Sequence, residues 1–380
     1  MTSKDATWGP RLRIPLAEPS VWRRAALQRS VAAGLVLATL AIAPLPADRS
    51  AVEEVLRAQR GGSQRLPLLI DRWGYQLQGF NLSAIEASAF DLRVIDYSTT
   101  GDAAGELSAE QVAALRAGPC GERVVLAYLS IGEAESYRYY FDAAWLDDAG
   151  DPGLAAPAFL GPMNPEWEGN YKARYWLRAW QRLLFGNASG PDKSYLDRII
   201  DAGFDGVYLD IVDAYEDWGP SEIGGNDERR RAPAEMVKLV RRLAKYARRT
   251  RGASDFLVVP QNGAGIIDPD VYPDAGNPDK EAARQRRRYF NSIDGIGAED
   301  TFYFGDRDEN NGLHPQRFTI DLLDLYAAAG KPVLAIDYLT QRDKIDRFWE
   351  LASERGYVPY VSGRELDRLT IPTNHAPVCD

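Results

Sequence analysis

The chain has 380 residues, 45% hydrophobic and 26% charged, which is the make-up of an ordinary globular protein. That length accommodates a barrel domain of about 250 residues with insertions. Its net charge is −10, and the six Lys/Arg and two Asp/Glu of residues 1–47 leave 39 and 53 elsewhere, a net of −14. A surface of that sign repels nucleic acid and anionic lipid and favours a neutral or cationic partner, so no nucleic-acid partner is expected.

At the N-terminus, Val31 to Ala43 is almost wholly apolar, follows Arg23, Arg24 and Arg29, and leads to Pro44-Leu45-Pro46-Ala47. This run is shorter than the roughly 20 residues that span a bilayer. Residues 1–47 are therefore expected to be an export signal or a retained N-terminal anchor, the one membrane link considered, which places the chain as secreted or periplasmic. A polar linker follows at 48–66, and 67–380 forms the main domain. Cys120 and Cys379 are the two cysteines; in an exported protein they pair or stay as free thiols, and both readings stand.

Short apolar or β-branched runs then recur at Gly74 to Gln78, Leu92 to Tyr97, Val124 to Ser130, Gly206 to Asp210, Phe256 to Gln261, Gly295 to Glu299, Pro332 to Asp337 and Tyr357 to Val361. Helical spacing appears between most of them, at Ser108 to Ala117, Tyr195 to Ala202, Ala234 to Arg249, Ile320 to Ala329 and Asp343 to Arg355. Eight strand–helix units predict an α/β fold, a single (β/α)8 TIM barrel. The connection from Ile131 to Lys193, rich in Trp, Tyr and Pro, is expected to be a long aromatic-rich insertion after strand 3 that covers the C-terminal face. The Lys/Arg-rich stripe of Ala234 to Arg249 reads as a solvated outer helix, because the rest of the chain is acidic.

Nearly every strand ends on a polar or aromatic group, although buried parallel strands are otherwise apolar throughout. In a barrel such ends line the active-site mouth. Asp210 closes Gly206-Val207-Tyr208-Leu209, and Glu299 closes Gly295-Ile296-Gly297-Ala298. Two carboxylates at strand ends suit glycosidic bond cleavage, with Asp210 ionised as nucleophile and Glu299 as general acid/base. A sugar presents apolar C–H faces and hydroxyl edges, so aromatic platforms interleaved with polar side chains are the expected binding residues. The candidates are Trp73, Tyr75, Asp96, Tyr97, Tyr128, Glu133, Tyr208, Asp213, Gln261, Asn262, Tyr303, Asp337 and Tyr338.

Other chemistries lack material. His314 and His375 are the only histidines, too few for a zinc site or a Ser-His triad at the strand ends. Asp306 to Gly312 resembles the start of a calcium loop with its Gly one place late, and reads as a solvated loop. No phosphate-binding Gly motif follows a strand. Neither a metal nor a cofactor is expected, and the chain is expected to be a monomer.

Several stretches together resemble glycoside hydrolase family 114, the endo-α-1,4-polygalactosaminidases. They are Trp73 to Gly79 (WGYQLQG), Phe90 to Ser98 (FDLRVIDYS), Val124 to Arg138 (VVLAYLSIGEAESYR), Tyr175 to Gln181 (YWLRAWQ), Asp201 to Trp218, Val258 to Gly263 (VVPQNG) and Gly295 to Asp300 (GIGAED). The resemblance implies a (β/α)8 barrel that cleaves α-1,4-linked galactosamine or N-acetylgalactosamine polymers of microbial biofilm matrices, such as galactosaminogalactan. It implies a retaining mechanism in which the family's Asp falls on Asp210 and its Glu on Glu299. An acidic cleft would suit a partly deacetylated, cationic glycan. Two alternatives remain at this stage: a non-catalytic glycan-binding barrel of an exopolysaccharide system, and a hydrolase of another α-glycan.

Overall fold

Each of the eight apolar runs forms a strand in the computed structural model, which describes residues 70–118, 121–190, 192–218, 223–272 and 276–371. The strands, numbered along the chain, are β1 (Trp73–Gln76), β2 (Leu92–Ile95), β3 (Val124–Ser130), β7 (Gly206–Asp210), β8 (Leu257–Pro260), β9 (Ile296–Glu299), β10 (Val333–Asp337) and β11 (Val358–Val361). Three short strands, β4 (Glu133–Glu135), β5 (Leu160–Met163) and β6 (Asn170–Ala173), lie between β3 and β7 and pair antiparallel with one another. The expected signal or anchor at 1–47, the linker at 48–66, Cys120, Cys379 and His375 lie outside the described residues.

The eight long-range strands all run parallel, five in the order β1-β2-β3-β7-β8 and three in the order β9-β10-β11. The two groups join at a parallel bridge between Gln261 and Gly297, where the Asn262 N–H donates to the Gly297 carbonyl at 2.9 Å. At the other flank Trp73 Nε1 donates to the Val358 carbonyl at 2.9 Å, so β11 and β1 also touch. This is an α/β fold with a parallel central sheet, consistent with a TIM barrel.

Period two divides each strand between two apolar layers. Trp73, Tyr75, Val94, Leu126, Tyr208, Val259, Ile336 and Tyr360 fill an inner cluster, while their neighbours Ile95, Ala127, Val207, Leu209 and Val258 face the helices. Burial of one such side chain contributes about 1.5–3 kcal/mol, so both layers resist polar substitution. The helices are α1 (Leu82–Glu86), α2 (Ala109–Ala117), α3 (Arg178–Leu184), α4 (Tyr195–Asp201), α5 (Asn226–Lys245), α6 (Pro278–Phe290), α7 (Arg317–Ala328) and α8 (Arg342–Ser353). A capping box starts α2: Gln111 N–H donates to Ser108 Oγ at 3.3 Å, and Ser108 N–H donates to Gln111 Oε1 at 2.8 Å.

The basic stripe of α5 is tied to its own surroundings. Lys238 pairs with Glu235 at 2.7 Å, and Arg242 donates to Gln181 at 2.9 Å. Just beyond the helix, Arg248 donates to the Phe256 carbonyl at 2.9 Å. Aromatics of the 131–193 connection interlock: Phe159 lies tilted against Trp180 at 5.3 Å, and Tyr140 meets Trp180 edge-on at 5.7 Å. Among the described residues no helix is long and apolar enough to cross a membrane.

Candidate active site

Asp210 ends β7 and is half-buried. Ser130 of β3 is its register partner, and Tyr128, two residues lower and on the same face, donates its hydroxyl to Asp210 Oδ2 at 2.7 Å. The chain leaves β7 through Ile211, whose φ of 57° is left-handed, a strained choice for a branched side chain. Gly132 permits this close turn, since a Cβ there would lie 2.3 Å from the Ile211 carbonyl oxygen.

Glu299 ends β9, one strand beyond β8, so the two carboxylate backbones lie about 10 Å apart. Asn262 Nδ2 donates to Glu299 Oε2 at 2.9 Å, and the Tyr338 hydroxyl of the β10 end donates to Oε1. Tyr338 is held by Arg364, whose guanidinium lies 3.6 Å from the ring centroid and pairs with Asp300 at 2.8 Å. The Tyr128 and Tyr338 phenols are pushed well above their ordinary value, first by burial and then by the carboxylate each faces, so both stay protonated donors at neutral pH.

Burial raises the Asp210 carboxyl from 3.8 to about 7, with the Glu299 charge as the next cause and the Tyr128 hydrogen bond acting against it. The sequence expectation has Asp210 ionised; a carboxyl at about 7 is ionised in about half of the molecules at neutral pH. Asp213 is raised too, by burial and then by Glu216, Asp210 and Asp217. The mouth is thus crowded with carboxylates.

Of the other candidates, Tyr75 donates to Gln261 Oε1 at 3.2 Å, and Tyr208 packs between Tyr75 and Trp73, at 5.3 and 6.1 Å. The buried Tyr208 hydroxyl has no hydrogen-bond partner and rests on Gly297. Asp96 pairs with Arg138 at 2.7 Å, while Glu133 accepts Asn164 at 2.9 Å and pairs with Lys172 at 2.8 Å.

Four candidates do not face the mouth. Trp73 begins β1 and sits at the floor, because register places it two residues below Tyr75. Tyr97 follows the inward Asp96 by one residue, so the pleat sends it into the helix-side layer, 4.6 Å from Tyr195. Tyr303 is buried in the helix-side layer, its phenol raised by burial and then by the Asp337 charge. Asp337 is fully buried and accepts the N–H groups of Phe302 and Tyr303 at 3.1 and 3.2 Å, which makes it an anchor for the turn after Glu299.

Sequence reasoning missed Glu135, Tyr137 and Arg138. Glu135 Oε1 accepts the hydroxyls of Tyr128 at 3.2 Å and Tyr137 at 2.6 Å, and Arg138 Nε donates to Oε2 at 2.6 Å. The alternation Glu133-Ala134-Glu135 directly after β3 was the available signal. A separate cavity of about 500 Å³, lined by Arg116, Asp205 and Phe256, opens at the opposite, N-terminal ends of β3, β7 and β8. Its two acids are Asp205, which pairs with Arg116 at 3.0 Å, and Asp255, and neither Asp210 nor Glu299 lines it. Among the described residues no three His, Cys, Asp or Glu side chains converge to hold a metal ion.

The family model for Glycoside-hydrolase family GH114 matches residues 56–376. The chain belongs to this family. It is similar to an uncharacterized protein of Methanocaldococcus jannaschii, 37% identical over 306 residues that cover 78% of this chain and 77% of that one. A second relative, an uncharacterized protein of Thermotoga maritima, is 33% identical over 313 residues, 79% of this chain and 84% of that one. Among solved structures, the glycoside hydrolase domain of PelA from Pseudomonas aeruginosa superposes with a TM-score of 0.51 at 19% identity, covering 78% of this chain and 96% of that domain. That likeness speaks to the fold. Family membership supports glycoside hydrolase activity.

Proposed function

We propose that the chain is an endo-acting, retaining glycoside hydrolase of α-1,4-linked galactosamine and N-acetylgalactosamine polysaccharide, with Asp210 as nucleophile and Glu299 as general acid/base. Its parallel sheet closes as a (β/α)8 barrel, and the segment holding β4 to β6 is an insertion at the mouth. The observation that carries the reading is the placement of Asp210 and Glu299 on strand ends flanking β8, each bonded to a buried tyrosine hydroxyl. Attack by Asp210 needs its anion, and a carboxyl at about 7 is only partly ionised near pH 7. An ammonium group of a galactosamine unit entering this acidic mouth would favour the anion, which links the polymer's positive charge to the chemistry. The protein works as an exported monomer that needs no cofactor.

A second reading exchanges the roles, with Asp210 as the acid and Glu299 as the nucleophile. The raised Asp210 carboxyl and the two donors on Glu299 favour it.

Release of oligosaccharides from α-1,4-galactosaminan, followed by mass spectrometry, tests the proposal. Asp210→Asn and Glu299→Gln are each expected to lose at least about 10³-fold in rate. Undiminished cleavage by either variant overturns the assignment, and binding without cleavage by the unaltered protein would leave a glycan-binding barrel.

A further inference from the structure

Tyr128 faces two acceptors with one proton. Its hydroxyl lies 2.7 Å from Asp210 Oδ2 and 3.2 Å from Glu135 Oε1. Glu135 is fully buried, and it is there because β4 follows β3 at once, anchored by Ser130 Oγ donating to the Glu133 carbonyl at 3.1 Å. Its other contacts decide how strongly it attracts a further donor: Arg138 occupies Oε2, and the half-exposed Tyr137 donates to the same Oε1 that Tyr128 reaches.

We propose that Glu135 is a positioning residue that competes with Asp210 for the single Tyr128 proton, and so governs how firmly Asp210 holds its negative charge. The proposal rests on Asp210 acting as the nucleophile. In the free site the shorter bond gives the proton to Asp210. When Asp210 attacks the anomeric carbon and the glycosidic C–O bond breaks, its electron pair goes into the new ester bond, and the leaving oxygen takes its proton from Glu299. The ester is a weaker acceptor than the carboxylate, so the Tyr128 hydroxyl turns to Glu135 and its donor stays satisfied. Hydrolysis of the ester restores the carboxylate, and the hydroxyl returns to help it leave.

Every charged or titratable neighbour enters this balance. Asp210 is faced by Glu299 from β9, Glu133 from β4 and Asp213 from the turn after β7, with the phenols of Tyr75 and Tyr208 below. Glu135 is faced by Arg138, Tyr137 and Tyr140, whose hydroxyl accepts the Glu135 N–H at 3.2 Å, and Asp96 and Tyr195 lie against Arg138. Of these, only Tyr137 touches Glu135 at half exposure and carries no charge at neutral pH, so it can be altered with the least disturbance.

The test is a carboxyl titration of the full chain labelled with [4-13C]aspartate, with the Asp210 resonance assigned by its loss in Asp210→Asn. Tyr128→Phe removes the donor and is expected to raise the Asp210 midpoint by about 1 pH unit, one charge-assisted hydrogen bond. Glu135→Gln removes the competitor and is expected to lower it. Tyr137→Phe removes no charge but frees Glu135 Oε1 for Tyr128, so the midpoint rises. A midpoint that Tyr137→Phe leaves in place or lowers overturns the proposal, and so does a rise with Glu135→Gln. The titration needs no substrate, so it stands even if galactosaminan proves not to be cleaved, which would instead defeat the functional reading.

Discussion

Asn262 and Glu299 are joined by two hydrogen bonds of opposite sense: Asn262 Nδ2 donates to Glu299 Oε2 at 2.9 Å, and the Glu299 N–H donates to Asn262 Oδ1 at 3.1 Å. Only a carboxamide of this length supplies both a donor and an acceptor from one side chain. Asn262→Asp turns the donor into a second carboxylate that repels Glu299. Its kcat is expected to fall by about 10²-fold, read in the same oligosaccharide-release assay.

The pH dependence of kcat/KM reports the free site. With Asp210 as nucleophile at about 7, kcat/KM falls below pH 7, roughly tenfold for each further unit. A limb that instead falls above pH 7 would assign Asp210 as the acid. Azide settles the same point with an activated aryl α-galactosaminide. Asp210→Ala is expected to yield the β-glycosyl azide, because azide takes the place of the nucleophile, and Glu299→Ala the α-glycosyl azide formed from the covalent intermediate. Product anomers by proton NMR decide it.

Stability depends on the same carboxyl. The folded value of Asp210, about 7, lies above its ordinary 3.8, so folding favours the protonated form. That contribution is complete below about pH 4 and is lost as pH rises through 7. Asp210→Asn therefore stabilises the protein at pH 8, by about 1–3 kcal/mol after allowing for partial solvent access, and the gain shrinks toward pH 4. Urea unfolding at the two pH values measures it.

Gly297 leaves room for the Tyr208 ring. A Cβ at Gly297 would lie 1.8 Å from the Tyr208 hydroxyl, in a buried layer with no slack. Gly297→Ala is expected to cost about 1–3 kcal/mol by overpacking and to displace Glu299, two residues on. Tyr208→Phe removes a buried hydroxyl that has no partner, so its melting temperature is expected to stay level or rise. Thermal unfolding of the two variants is the check.

The eight parallel strands were legible because strands covered on both faces must be apolar runs, and they stop on polar residues where the mouth begins. Helix α6 was hidden by its composition: Pro278–Phe290 is mostly charged, with only Ala282, Gln285, Tyr289 and Phe290 buried. The carboxylate pair was visible in the sequence, but its electrostatics were not. Asp210 is raised by burial under neighbours that arrive from β3, β4 and β9, and strand order alone does not state how deep that burial is. Tyr97 is legible in the sequence, since period two sends it to the face opposite Asp96. Glu135 and Arg138 are brought to Tyr128 by a turn too short for periodicity to register.

Ile211, Asn262 and Asp300 follow Asp210, Gln261 and Glu299 directly, and all three hold left-handed backbone at φ 57°, 57° and 49°. Three adjacent strands therefore leave the sheet by the same sharp reversal, which keeps the preceding side chain aimed inward. Asn and Asp tolerate this conformation, whereas a branched residue such as Ile211 resists it at a cost of order 1–3 kcal/mol. A thermostabilised version of this protein would find its easiest gain at Ile211, and would pay for it in the aim of the neighbouring acid.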